Sequence, residues 1–138
     1  MKEENIKKQF KIMGLKITPA RLVILEAFSD KCHPLSAEDI YKKIRKNEID
    51  LVTVYRTLIS FEKVGILRKV DLHKGSQFYE INKHHHHHVI CNKCGFIEEL
   101  DGCNIEKYTS KISSKLSNFN IIKDHSLEFF GLCKKCEL

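Results

Sequence analysis

Residues 84–94 read HHHHHVICNKC: five histidines run directly into a Cys-x-x-Cys pair, and a second pair, Cys133-Lys-Lys-Cys136, stands near the carboxy-terminus. Imidazole nitrogen and thiolate sulfur are the side-chain donors that zinc and its neighbours hold best. Two residues between thiolates let both reach one ion, and two such pairs complete a tetrahedral site. Four protein ligands leave no open position, so Cys91, Cys94, Cys133 and Cys136 read as a structural zinc site. Its ion would staple the last segment to the first knuckle and add directly to folding free energy. A redox dithiol is the alternative, and two widely separated pairs without a thioredoxin-like context weigh against it. Cys32 and Cys103 are left over and read as small buried apolar residues.

The histidines carry a second chemistry. On a strand, alternate residues share a face, so His86 and His88 point one way and His85 and His87 the other. One strand can then serve two sites. Glu80, Glu99, Glu106 and His125 are candidate partners. No His-Glu-x-x-His pattern appears and no general base lies beside the run, which weighs against a zinc hydrolase. A metal store or chaperone would fit the histidines alone.

Charge separates these readings. Of 138 residues with a net charge of +6, residues 1–83 hold 17 Lys/Arg against 11 Asp/Glu, whereas residues 84–138 hold 7 of each. A basic half joined to a neutral half is the electrostatic footprint of nucleic-acid binding. No run of apolar residues is long enough to span a membrane, and the first ten residues lack a signal peptide's apolar core, so the chain reads as cytoplasmic. Six cysteines in a reducing compartment are then metal ligands or buried thiols rather than a disulfide framework.

The elements that must position these groups follow from periodicity. Ile6, Phe10 and Met13 predict a helix ending at Gly14. Thr18-Pro19 starts a second, with Leu22, Leu25 and Phe28 on one face. Ser36 and Asp39 form a capping box for a third, with Ile40, Tyr41 and Ile44 inward. Val52-Thr-Val-Tyr-Arg opens a fourth that turns Val54, Leu58, Phe61 and Val64 inward and ends at Gly65. Tyr55 and Arg56 lie early in it, where side chains reach base edges. The pattern then switches to period two on either side of the His73–Ser76 turn, a hairpin. Helices followed by a two-stranded wing make a winged helix-turn-helix. Beyond the histidines, Val89-Ile90 and Phe96 to Leu100 predict strands. Asn104 to Leu116 predicts a helix with Ile105, Tyr108, Ile112 and Leu116 inward, and Phe119 to Phe130 predicts a strand. The expected fold class is α+β: a winged-helix DNA-binding domain over 1–83 and a metal-binding α/β dimerisation domain over 84–138.

Together, Gly14-Leu-Lys-Ile-Thr-Pro-Ala-Arg21, Leu35-Ser-Ala-Glu-Asp-Ile-Tyr41, Thr53-Val-Tyr-Arg-Thr-Leu58, the run His84 to Gly95 and His125-Ser-Leu resemble the ferric uptake regulator family over nearly the whole chain. The resemblance implies a homodimeric, metal-dependent repressor reading an A/T-rich inverted repeat in double-stranded DNA. It implies structural zinc on the four paired cysteines and a regulatory metal on His33, Glu80, His86, His88 and Glu99. It implies a secondary metal on His85, His87, Glu106 and His125, and DNA contacts from Lys16, Arg21, Thr53, Tyr55 and Arg56. Members of the family sense iron, zinc, manganese or peroxide. Zinc sensors of the family often place a Cys just ahead of the histidines, and peroxide sensors an Asp at two ligand positions. Here Glu80-Ile-Asn-Lys83 holds no Cys, and the two ligand positions are Glu80 and Glu99. A thiolate-free nitrogen and oxygen set favours Fe²⁺, with Mn²⁺ or Zn²⁺ as alternatives. An Asp is common in the family where this chain has His87, which makes the secondary site softer and more zinc-like.

Overall fold

Helix α1 (Glu3–Ile12) buries Ile6 and Phe10 and stops short of Gly14, whose φ of +69° glycine adopts at no steric cost. The computed structural model describes residues 3–29 and 33–138, and the chain divides into two compact units, Met1–Asn82 and Lys83–Leu138. Cys32 lies outside the described residues.

In the first unit, Thr18 accepts the backbone N–H of Arg21 and Pro19 occupies the first turn of α2 (Pro19–Glu26). Strand β1 (Leu35–Ser36) leads into α3 (Ala37–Lys43), where Ser36 and Asp39 form the full reciprocal capping box. A single 3-10 turn over Arg45–Asn47 leads to Asp50, which caps α4 (Leu51–Lys63) by accepting the Thr53 backbone N–H at 2.6 Å. Helix α4 turns Val54, Leu58 and Phe61 fully inward against Phe10, Ile24 and Ile40, while Val64, expected inward, is only half-buried. Strands β2 (Leu67–Val70) and β3 (Phe78–Ile81) form the wing hairpin, and β1 pairs antiparallel on the other edge of β3. Among the described residues, sixteen of the eighteen buried apolar ones belong to this unit.

The second unit is organised by β4 (His86–Cys91), the middle strand of the order β5-β4-β6. Strand β5 (Ile97–Asp101) pairs antiparallel and β6 (Glu128–Gly131) parallel to it. The register sets His88 opposite both Glu99 and Glu128. Helix α5 spans Glu106–Ser114, and a last turn, α6 (Lys134–Glu137), carries Cys136.

Three expectations change here. The strand predicted from Phe119 to Phe130 is confined to Glu128–Gly131, because the ladder on β4 begins only at Glu128. The helix begins two residues past Asn104, with no side-chain cap. Its predicted inner face is not buried: Tyr108, Ile112 and Leu116 are 61%, 47% and 43% exposed. Periodicity reports that a helix has an apolar face, and says nothing about which molecule covers it.

Candidate metal centres and nucleic-acid face

The paired cysteines converge as their spacing requires. Cys91, Cys94, Cys133 and Cys136 place their sulfur atoms within 4.8 Å of one another. Cys94 Sγ and Cys133 Sγ are 3.7 Å apart, and a tetrahedral zinc with Zn–S bonds of about 2.3 Å sets sulfur–sulfur edges at about 3.8 Å. The backbone N–H of Cys133 donates to Cys91 Sγ at 3.4 Å. That bond and a second from the Cys94 backbone bring the Cys91 thiol down to about 6, whereas the neighbouring Cys133 and Cys94 sulfurs push Cys136 up to about 12. One thiolate is favoured and further ones are resisted, until a divalent cation supplies the opposing charge. The donor set fits zinc.

Strand alternation separates the histidines into two groups. On one face, His86 and His88 are buried, and Glu99 on β5 reaches the same side. His86 Nδ1 lies 2.9 Å from the His84 carbonyl and donates to it, which turns Nε2 toward β5. That Nε2 stands 3.7 Å from Glu99 Oε1, a buried oxygen with no hydrogen bond among the described residues and with Lys83 Nζ also 3.7 Å away. An imidazole nitrogen and a carboxylate oxygen at this range can share one cation. These donors fit a harder ion than the four sulfurs do.

Glu80 and His33 belong to the first unit. Glu80 is buried on β3, and its carboxylate accepts from Arg68 Nε. His33 precedes β1 with a buried Nδ1 that has no hydrogen-bond partner among the described residues.

On the opposite face of β4, His85 and His87 meet His125, and the fourth member of the group is Cys103. Glu106, expected there, is exposed on the first turn of α5 and is not in the group. A cysteine outside any Cys-x-x-Cys spacing gives no local signal. Its histidine partner lies 22 residues away, in the irregular segment before β6.

The outward face of α4 carries Val52, Tyr55, Arg56 and Ile59 at helical spacing, all exposed, with Thr53 half-exposed beside them. Val52 and Ile59 are missed by sequence reasoning, since exposure of an apolar residue is invisible there. Tyr55 donates its hydroxyl to Glu38 of α3, which raises the tyrosine's pKa and holds the carboxyl below its ordinary range. Lys16 is exposed, and Arg21 donates from Nη1 to the Lys16 carbonyl at 2.7 Å, fixing the turn that carries it. Lys16 and Arg21 thus sit together, as do Thr53, Tyr55 and Arg56. No helix is long and apolar enough to cross a membrane among the described residues.

The sequence profile described as the Ferric uptake regulator family matches residues 12–130. The ferric uptake regulation protein of Neisseria meningitidis serogroup A is 38% identical over 141 residues, covering 99% of this chain and 96% of its own. The ferric uptake regulator of Francisella tularensis, solved with iron, superposes with a TM-score of 0.78 at 33% identity, over 91% of this chain and 96% of that one. The Vibrio cholerae ferric uptake regulator, whose structure is described by a rearrangement of its DNA-binding domains, gives 0.76 at 37% identity over 91% and 98%.

Proposed function

The chain belongs to the ferric uptake regulator family, and from that premise we propose that it is a metal-dependent DNA-binding transcriptional repressor. It acts as a homodimer in the cytoplasm and answers to Fe²⁺ in controlling genes of metal uptake; it is a switch and not an enzyme. The observation that carries this reading is the separation of donor types on β4. A four-sulfur cluster suited to a permanent ion stands apart from the buried His86 and His88, which have the buried Oε1 of half-exposed Glu99 beside them, a set built of nitrogen and oxygen.

A bound cation supplies positive charge and directional bonds to these donors, and nothing more is asked of it. His86 is held in the metal-competent tautomer by the His84 carbonyl. Glu80 and His33 complete the regulatory set in this reading, and their recruitment favours the state that grips DNA. DNA affinity rises only as far as the ion prefers that state over the open one. The secondary ion belongs on the opposite face of the strand, with His85, His87 and His125.

The stripe Val52, Tyr55, Arg56 and Ile59 suits a recognition helix in the major groove, where apolar side chains meet thymine methyls and Arg reads guanine. Lys16 and Arg21 suit backbone phosphate. The uncovered apolar side chains of α5, together with Val89 on β4 and Phe129 on β6, support pairing with a second copy. Two recognition helices roughly 34 Å apart would then enter successive major grooves of an A/T-rich inverted repeat.

The test is a Glu80→Ala/His88→Ala double variant, assayed with Fe²⁺, Mn²⁺ and Zn²⁺ in metal-buffered, anaerobic titrations on an inverted-repeat duplex selected from a random pool. The variant is expected to retain its sulfur-bound zinc and its circular dichroism and to lose metal-dependent DNA binding. Unchanged metal dependence in the variant refutes the proposal.

A further inference from the structure

Four ligand atoms from separate places in the second unit meet at one point: His85 and His87 from β4 and its approach, Cys103 from the turn after β5, and His125 from the segment ahead of β6. All four atoms lie within 4.8 Å of one another, and three of their six separations are close to the edges of a coordination tetrahedron. His85 Nε2 and His87 Nε2 are 3.2 Å apart, His125 Nε2 and His87 Nε2 are 3.4 Å apart, and Cys103 Sγ is 3.6 Å from His125 Nε2. A tetrahedral zinc with Zn–N of about 2.05 Å and Zn–S of about 2.3 Å sets nitrogen–nitrogen edges at about 3.4 Å and nitrogen–sulfur edges at about 3.6 Å.

His87 Nδ1 lies 2.9 Å from the Leu127 carbonyl, which only accepts, so Nδ1 donates there and Nε2 is turned to the other two rings. Both other imidazoles turn an Nε2 toward the His87 Nε2. One cation can take all three nitrogens and the thiolate.

We propose that Cys103 is the fourth ligand of a closed His₃Cys site with His85, His87 and His125, and that this site takes a borderline-soft divalent cation, zinc foremost, rather than a carboxylate-preferring one. The proposal rests on the regulator reading only in deepening it. It replaces Glu106 with a thiolate in the secondary donor set and so changes the class of cation that set selects. The two faces of β4 then discriminate by softness, with nitrogen and oxygen donors on one side and a sulfur-containing set on the other. His87 alone of the four is fully buried and His85 is exposed, so exchange with solvent remains open. The ion would tie both the turn at Cys103 and the segment at His125 to the sheet.

The test uses the full chain with zinc in its four-cysteine cluster, titrated anaerobically with Co²⁺. Tetrahedral visible bands and a near-ultraviolet thiolate-to-cobalt band are expected in the unsubstituted protein. Cys103→Ser is expected to abolish the thiolate band and to weaken Co²⁺ and Zn²⁺ at least tenfold, read by competition with a chromophoric chelator. Glu106→Gln is expected to leave both unchanged. Zinc analysis after each titration and circular dichroism confirm that the first cluster and the fold survive, and Cys103→Ala repeats the loss without a hydroxyl ligand. A thiolate band that persists in Cys103→Ser, or a band lost in Glu106→Gln, overturns the proposal, as does an unsubstituted protein that shows none. No DNA enters the measurement, so failure here leaves the regulator reading standing, and failure of that reading leaves this site intact.

Discussion

Removing the four-cysteine zinc by Cys94→Ser/Cys136→Ser is expected to unfold the carboxy-terminal unit and spare the amino-terminal one. The reason lies in where apolar burial sits. Among the described residues, the second unit fully buries only Ile90 and Cys91 of its apolar side chains, and its other buried residues are His86, His87 and His88. Two such side chains contribute at most about 2–3 kcal/mol each. A structural zinc site contributes about 10–16 kcal/mol at neutral pH, which matches or exceeds the roughly 5–15 kcal/mol net stability of a whole domain. An ion held by the four sulfurs is therefore expected to be the largest single term in that unit. The amino-terminal unit, with a core running from Phe10 to Tyr79, has no such dependence. Hydrogen exchange read by mass spectrometry separates the two. The variant should lose protection across His86–Cys91, Ile97–Asp101 and Glu128–Gly131, while α4 and the wing exchange as before. Protection of those three strands at the zinc-loaded level would refute the reasoning and would place their stability in the interface with a second copy.

Four further outcomes follow from the amino-terminal unit. Leu58→Ala empties a site with no solvent exposure at the centre of α4 and should cost about 2–5 kcal/mol in urea denaturation of that unit. Arg56→Ala should lower affinity for the selected duplex by about 1–3 kcal/mol and relax preference at one base pair, whereas Lys16→Ala should weaken all sequences alike and reduce the slope of the salt dependence by roughly one, since one phosphate is no longer neutralised. The Tyr55 hydroxyl lowers the Glu38 pKa below 4.5, so the bond's stabilisation is present above that value and fades as pH falls through the folded pKa. Tyr55→Phe should return the Glu38 carboxyl toward its ordinary value in an NMR titration; no movement would show that another group sets it.

Local chemistry makes much of this legible without coordinates. The capping box at Ser36 and Asp39, the Thr18-Pro19 start and the inward row Val54, Leu58 and Phe61 are all interactions within a few residues of chain, which spacing encodes directly. The alternation of the histidines onto two faces is likewise a property of any strand. What escapes a sequence reading depends on distant or external partners. Cys103 finds His125 through a turn and an irregular segment, so no pattern flags it. Phe119 to Leu127 has strand-like composition, yet the parallel pairing on β4 starts at Glu128 and leaves those residues no ladder. The stripe on α5 reads as inward because an apolar face must be covered by something, and its exposure shows that nothing among the described residues of this chain buries it.

The histidine run also has a consequence for alignment along the sheet. Where a strand repeats one residue type, sliding it by a single position leaves the chemistry on each face unchanged, so residues 84–88 carry almost no information about their own register. That information has to come from the heterogeneous end, where Ile90 is buried opposite Ile97, and Cys91 must meet the three other sulfurs. The sulfur cluster is thus an anchor that counts residues: by fixing Cys91 it decides which histidine is even and which is odd, and hence which donors each face presents.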